Sequence, residues 1–136
     1  PELLQSVRAT DPMKAKHLDK ALNQFAEEGA SKLFKPLIGS GWIIGVVGAL
    51  QFEVLASRIE LEYGIPVRFE QSQFKSARWL SGVKEDVEKF IDINKGHMAM
   101  DHDGDPVYMT RLQWDIDRVE RDYPLLNLTA TKDIMV

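Results

Sequence analysis

The sequence predicts an α+β fold, and three observations carry the prediction. Short apolar runs alternate with segments whose apolar residues recur every three to four positions. Glycine or proline closes nearly every one of these segments. The order strand, helix, strand, strand, helix, strand is then read twice along the 136 residues. That order is the split βαβ arrangement of the ferredoxin-like fold, whose right-handed crossovers place both helices on one face of a four-stranded antiparallel sheet. The expected architecture is two ferredoxin-like halves, residues 1–71 and 72–136, each with helices packed on an antiparallel sheet, and a boundary within residues 71–76. The halves repeat in topology, since their residues do not visibly match.

Residues 2–8 read as the first strand, with Leu3 or Leu4 and Val7 as its apolar contribution. Asp11-Pro12 predicts a helix start, because the carboxylate accepts amide hydrogens that the first turn leaves free and proline gives up none that the helix uses. Leu18, Ala21, Leu22 and Phe25 stripe that helix to Glu28, and Gly29 closes it. Residues 32–38 and 42–47 are strands joined by a turn at Gly39-Ser40-Gly41. GVVGALQFEVLASRIELEYG, residues 45–64, then carries an apolar strand through a glycine into a helix. Phe52, Leu55, Ala56, Ile59 and Tyr63 form its inner stripe, while Glu53, Glu60 and Glu62 occupy the opposite face. Gly64 suits the left-handed residue that ends a helix, and Ile65-Pro66 opposes continuation. Residues 66–70 supply a fourth strand.

The second half repeats the order. Residues 78–81 are a short strand; Val83, Val87, Phe90 and Ile91 stripe a helix over 84–94; and Gly96 ends it. Strands 97–101 and 106–110 flank Asp103-Gly104, a tight-turn signal. Thr110-Arg111-Leu112-Gln113 matches a capping box, and Leu112, Ile116, Val119 and Tyr123 mark the helix it would open. Pro124 stops that helix, and Leu126, Leu128 and Ala130 alternate as a last strand.

Composition narrows the function classes. With 44% hydrophobic residues the chain can hold a core, and without cysteine it has no disulfide, catalytic thiolate or zinc–thiolate site, which fits a reducing, cytoplasmic setting. The longest apolar run, Trp42 to Leu50, spans nine residues and includes two glycines, whereas a membrane-spanning helix needs about 20. The net charge of −4 argues against a wholly basic binder but hides an uneven distribution. Residues 67–84 carry Arg68, Lys75, Arg78 and Lys84 against Glu70, whereas residues 101–122 carry seven acids against three arginines. Pro1 in place of methionine is consistent with a piece of a longer protein or a processed product.

Several stretches invite chemistry and are better read structurally. Gly39, Gly41, Gly45 and Gly48 lack the spacing of a dinucleotide loop, and no G-K-S or G-K-T follows, so close packing at Gly45 and Gly48 is the expected reason for those glycines. Asp101-His102-Asp103-Gly104-Asp105 looks metal-rich, yet an EF-hand loop begun at Asp101 or Asp103 would place Leu112 or Trp114 where a glutamate is required. With His97 nearby an adventitious divalent site is conceivable, and a solvated hairpin tip is the plainer reading. His17 is expected on the surface. The carboxylate pairs Glu27-Glu28 and Glu60/Glu62 belong on outer helix faces, and general acid–base work would need a raised pKa in a pocket. Asn127-Leu128-Thr129 is a formal glycosylation signal, idle without a secretory route. By strand alternation Arg78 and Trp79 point to opposite faces, with Trp79 in the core. Arg78, with Arg68 or Lys75, is therefore the candidate RNA contact, because cations bind phosphate and arginine does so through paired hydrogen bonds.

A sharper signal lies in longer stretches. PMKAKHLDKALNQFAEEGASKLFKPL, then IIGVVGALQFEVLASRIELEYGIPVRFE, then ARWLSG together resemble the C-terminal domain of the bacterial peptide chain release factor 3 family, and the similarity covers essentially the whole chain. The first half is also similar to the third domain of elongation factor G. The resemblance implies a module of a ribosome-dependent translational GTPase that promotes departure of the codon-reading release factor after peptide release. It also implies that GTP or GDP and Mg belong to an N-terminal GTPase domain, followed by a β-barrel domain, so that the present residues carry no catalytic, cofactor or metal site. The implied partners are the ribosome, chiefly small-subunit RNA and a ribosomal protein, the codon-reading release factors, and the factor's own GTPase and β-barrel domains, with no membrane or DNA. On the family's exposed basic positions the matching residues are Lys75 and Arg78, and less closely Arg68. The alternative is a small-molecule-binding regulatory module of double ferredoxin-like fold, which a cleft lined by polar groups would favour; a hydrolase would need a buried acid–base cluster.

Overall fold

The computed structural model describes residues 3–39 and 41–132, so that Glu2 of the expected first strand and Ser40 of the expected glycine turn lie outside the described residues. The protein has a mixed α+β fold with helices packed on antiparallel strands. Its backbone divides into two compact units, Pro1–Lys35 with Gly41–Ser72, and Pro36–Ser40 with Gln73–Val136.

The first unit runs β1 (Leu3–Ala9), α1 (Ala15–Glu28), β2 (Lys32–Pro36), β3 (Trp42–Val46), α2 (Leu50–Tyr63) and β4 (Val67–Gln71). Its strands lie in the order β4-β1-β3-β2. Every neighbouring pair is antiparallel, with Leu4 opposite Gly45, Leu33 opposite Ile44 and Arg8 opposite Arg68. Alternation sends Val7, Leu33, Ile44 and Val46 to one face, where they meet Leu18, Leu22 and Phe25 of α1 and Phe52, Leu55 and Ile59 of α2. Burying each such side chain contributes about 1.5–3 kcal/mol, so this layer, more than helix propensity, holds α1 and α2 in place. Phe34 and Ile43, of opposite parity, are also buried.

Helix ends follow the sequence closely. The Asp11 carboxylate accepts the Met13 N–H at 3.0 Å, but Pro12–Lys14 forms a tighter 3-10 turn before α1 begins. Gly29 and Gly64 both take left-handed backbone, with φ of 80° and 69°, and the Gly64 N–H returns to the Glu60 carbonyl at 2.9 Å. A side chain in this conformation costs about 1–2 kcal/mol. Gly64→Ala is therefore expected to destabilise the chain by that amount while leaving the fold intact, checked by urea denaturation and circular dichroism.

The second unit runs β5 (Ser76–Ser81), α3 (Lys84–Ile93), β6 (Met98–Asp101), β7 (Pro106–Thr110), α4 (Gln113–Asp122) and β8 (Asn127–Thr129). Its strands lie in the order β6-β7-β5-β8. Leu80, Phe90, Met98, Tyr108, Val119 and Leu126 form its core beneath the two helices.

Several expectations give way. The capping box does not form: Thr110 is the buried last residue of β7, its hydroxyl donates to the Leu112 carbonyl at 3.2 Å, and the Gln113 amide reaches Asp117 one turn on. Leu112 therefore precedes α4 as an exposed residue, and Val83 is likewise exposed ahead of α3. Tyr123, also expected inward, remains about one-third exposed, with its ring edge against Phe90. Gly96 does not stop α3, because Asn94 already returns its N–H to Phe90 and Ile91 and Gly96 sits inside a following 3-10 turn. Nothing lies within 4 Å of a side chain added at Gly48, so close packing does not explain that glycine. The outer face of α2 is not purely acidic, since Leu50, Val54 and Leu61 are exposed there beside Glu53 and Glu60.

Candidate nucleic-acid interface

The three cations singled out by sequence occupy different settings. Lys75 stands just ahead of β5, exposed, with its backbone N–H on the Thr110 carbonyl at 2.8 Å. Arg78 lies within β5, opposite Tyr108 in the register, and is half-buried with its guanidinium turned back onto the Ala77 carbonyl at 2.9 Å. Alternation along the strand sets Arg78 on the side of Leu80, which belongs to the core under the helices, and Lys75 on the side of Trp79. Lys75 and Arg78 are close in sequence but do not share a face.

Arg68 belongs to the first unit. It is exposed on β4, with Val67 and Phe69 turned the other way toward the α1–α2 core. The register sets Arg8 of β1 directly opposite it. Arg8 is 67% exposed and its Nη2 donates to both oxygens of Glu70, at 2.7 and 2.9 Å. Sequence reasoning missed Arg8 because nothing local marks it; only the pairing of β1 with β4 across some 60 residues brings it to Arg68.

The acid-rich stretch at 101–105 has a structural explanation. Asp101 is buried, and one of its carboxylate oxygens accepts the N–H groups of Asp103 and Asp105, each at 2.9 Å, which shapes the β6–β7 turn. The other oxygen accepts the indole N–H of buried Trp79 at 3.0 Å and the Lys132 ammonium at 2.9 Å. Lys132 also binds Asp103 at 2.6 Å and Asp105. Burial by itself pushes the Asp101 carboxyl up, but the Trp79 indole, the Lys132 ammonium and the Asp105 N–H outweigh it and hold the carboxyl below the usual range. Burial likewise lowers Lys132, and the hydrogen bonds that its ammonium donates to Asp103, Asp105 and Asp101 overcome it and raise the amine above its ordinary value.

Ligand atoms of Asp101, His102 and Asp103 do lie within 4.8 Å of one another. The counter-charge a divalent ion would bring is nevertheless supplied by the chain's own lysine. The expected solvated hairpin tip is thus a partly buried, lysine-bridged turn. His97 is not drawn into it, since its ring packs against Phe74 and Tyr108. Burial raises the Tyr108 hydroxyl pKa, and no sequence expectation assigned that tyrosine a role.

Other acids are held in surface pairs. Arg58 of α2 binds Glu62 of the same helix at 2.7 Å and Glu28 of α1 at 3.3 Å and stands 4.5 Å over the Phe25 ring, so of the acids weighed for catalysis Glu62 supports its own helix and Glu28 ties α1 to α2. His17 is exposed, as expected. No helix among the described residues is long and apolar enough to cross a membrane. The family model described as class II release factor RF3, C-terminal domain, matches residues 1–120 of the chain.

Proposed function

The chain belongs to the family of class II release factor RF3 C-terminal domains, a non-catalytic module of the factor that interacts with the ribosome, and from that premise we propose that it docks the factor there and couples its domains. In this reading the chemistry of the whole factor, GTP hydrolysis with its Mg, belongs to an N-terminal domain, and a β-barrel domain stands between. The present module holds the GTPase in place while the codon-reading release factor dissociates after peptide release. The setting is cytoplasmic, and the contacts are small-subunit RNA, a ribosomal protein and the factor's own preceding domains. The family match over residues 1–120 carries the proposal.

Each half, 1–71 and 72–136, is read as a ferredoxin-like unit. The strand orders β4-β1-β3-β2 and β6-β7-β5-β8 support this, because numbering each half from its own first strand gives 4-1-3-2 in the first and its reverse in the second. A docking module of this kind needs rigid strands to present cations, and Lys75, Arg78 and Arg68 all stand on or beside strands. Lys75 is the most accessible of the pair in the second unit, so its loss should cost more than that of Arg78, whose guanidinium already serves a backbone carbonyl.

Co-sedimentation of the 136-residue chain with ribosomes across a salt series tests the reading. The expected result is binding that weakens with salt and a Lys75→Ala/Arg78→Ala variant whose salt slope falls by about 1–2, each lost phosphate contact contributing roughly 0.7–0.9. An exposed acidic control, Glu120→Ala, should bind as the parent does. Absence of binding by the parent chain would defeat independent docking, and an unaltered Lys75/Arg78 variant would reject those two positions.

A further inference from the structure

We propose that the β1–β4 rim of the first unit, carrying Arg8 and Arg68, is a contact for the phosphate backbone of RNA, with Glu70 as an internal anion that competes for Arg8. The inference rests on the docking reading and extends it to residues that the sequence did not reveal.

The register sets Arg8 and Arg68 face to face on neighbouring antiparallel strands. Like charges placed directly opposite each other destabilise a strand pair. Glu70 relieves only Arg8, through both carboxylate oxygens, and lies two residues along β4 from Arg68. The rim continues in the same direction along the chain entering β4. Thr10 donates to the Pro66 carbonyl through both its N–H, at 3.1 Å, and its hydroxyl, at 3.2 Å. Lys14 Nζ donates to the Gly64 carbonyl at 2.9 Å. Gly64 is the left-handed residue that ends α2, so the Lys14 ammonium caps that helix and does not extend the strand face. Two arginines thus share the outward side of the strand pair, and Glu70 is the carboxylate set among them.

The chemistry favours an RNA backbone over a protein surface. A protein interface is anchored by an aromatic or aliphatic side chain in a desolvated pocket. Here Val7, Val67 and Phe69 all turn inward to the α1–α2 core, and within the paired stretch of β1 and β4 the outward positions are Ser6, Arg8, Arg68 and Glu70. Phosphate oxygens need only spaced cations and hydroxyl donors. The geometry also fixes a sign for Glu70: a bound phosphate and this carboxylate compete for the same guanidinium.

The test measures binding of the 136-residue chain to purified ribosomes and to deproteinised ribosomal RNA across a salt series. Arg8→Ala/Arg68→Ala is expected to weaken both about tenfold and to lower the salt slope by about 2. Arg8→Lys/Arg68→Lys, which keeps the charge, should recover most of the loss. Glu70→Gln is expected to tighten binding about threefold, the scale of one exposed ion pair. Matching melting curves confirm that the variants fold. Unchanged binding by the double alanine variant overturns the rim while leaving the docking reading intact. Loss on ribosomes with deproteinised RNA unaffected, or weakening by Glu70→Gln, overturns RNA as the partner. No binding by the parent chain to either target defeats the docking reading itself.

Discussion

Phe90→Ala is expected to lower the unfolding free energy by about 3–5 kcal/mol, the range for removing a fully buried aromatic ring. Phe90 is 1% exposed and is the side chain through which α3 enters the second core. Its ring meets the edges of Tyr108, at 5.1 Å between centroids, and Tyr123, at 5.3 Å. Truncation removes both aromatic contacts and leaves a cavity between β7 and the end of α4 that rigid neighbours cannot fill. Because single domains are stable by only about 5–15 kcal/mol, such a loss is a large share of the total. Urea denaturation at neutral pH checks it: the midpoint should fall with the slope unchanged, while Val83→Ala, at an exposed position, should stay within about 0.5 kcal/mol. A Phe90 variant within 1 kcal/mol of the parent would mean that the ring does not hold α3 to the sheet.

Elements whose signals are local were legible in the sequence. Gly29 and Gly64 announce helix ends because the left-handed residue there is a backbone requirement that few side chains meet. Phe52, Leu55 and Ile59 announce the inner face of α2 because helical periodicity and burial coincide. The misreadings arise where a tertiary partner claims the group first. Thr110 has the sequence of a cap, yet it closes β7, where burial fixes its hydroxyl on Leu112 before it can reach a helix amide. Val83 and Leu112 continue a periodic pattern past the point where the backbone turns extended, so their side chains leave the core face.

The candidate surface was less legible than the fold, for the same reason. Sequence alternation orients one strand's residues relative to each other, which is how Trp79 was read as core and Arg78 as its opposite. It says nothing of which residue of another strand lies alongside. Arg8 reaches Arg68 only through the β1–β4 register, and Glu70 reaches Arg8 only on the diagonal of the same ladder. Lys132 is a further case: 31 residues separate it from Asp101, and only the path of the chain beyond β8 delivers its ammonium. A stretch whose composition suggests a metal therefore turns out to have its cation built in.

That arrangement makes a second large prediction. Asp101→Ala is expected to destabilise the chain by about 2–4 kcal/mol, because it strands the buried Trp79 indole N–H and removes the acceptor that shapes the β6–β7 turn. The pH dependence follows from the directions of the shifts. Asp101 is held below the usual carboxylate range in the fold, so its contribution is complete above the unfolded value near 4 and is lost as pH falls through the lower folded value. Lys132 is raised, so its contribution is complete below the ordinary lysine value of about 10.4 and is lost only as pH climbs through the higher folded value. Between these limits the bridge should be insensitive to pH. Asp101→Asn removes the charge and keeps an oxygen for Trp79 but sets its amide against the Asp103 and Asp105 N–H groups, so its deficit relative to the parent should be largest at pH 7 and the part due to charge should shrink in acid. Urea midpoints of the two proteins across that range decide the matter: a gap that stays constant into strong acid would show that the Asp101 charge contributes nothing, and that the turn is held by packing and neutral hydrogen bonds alone.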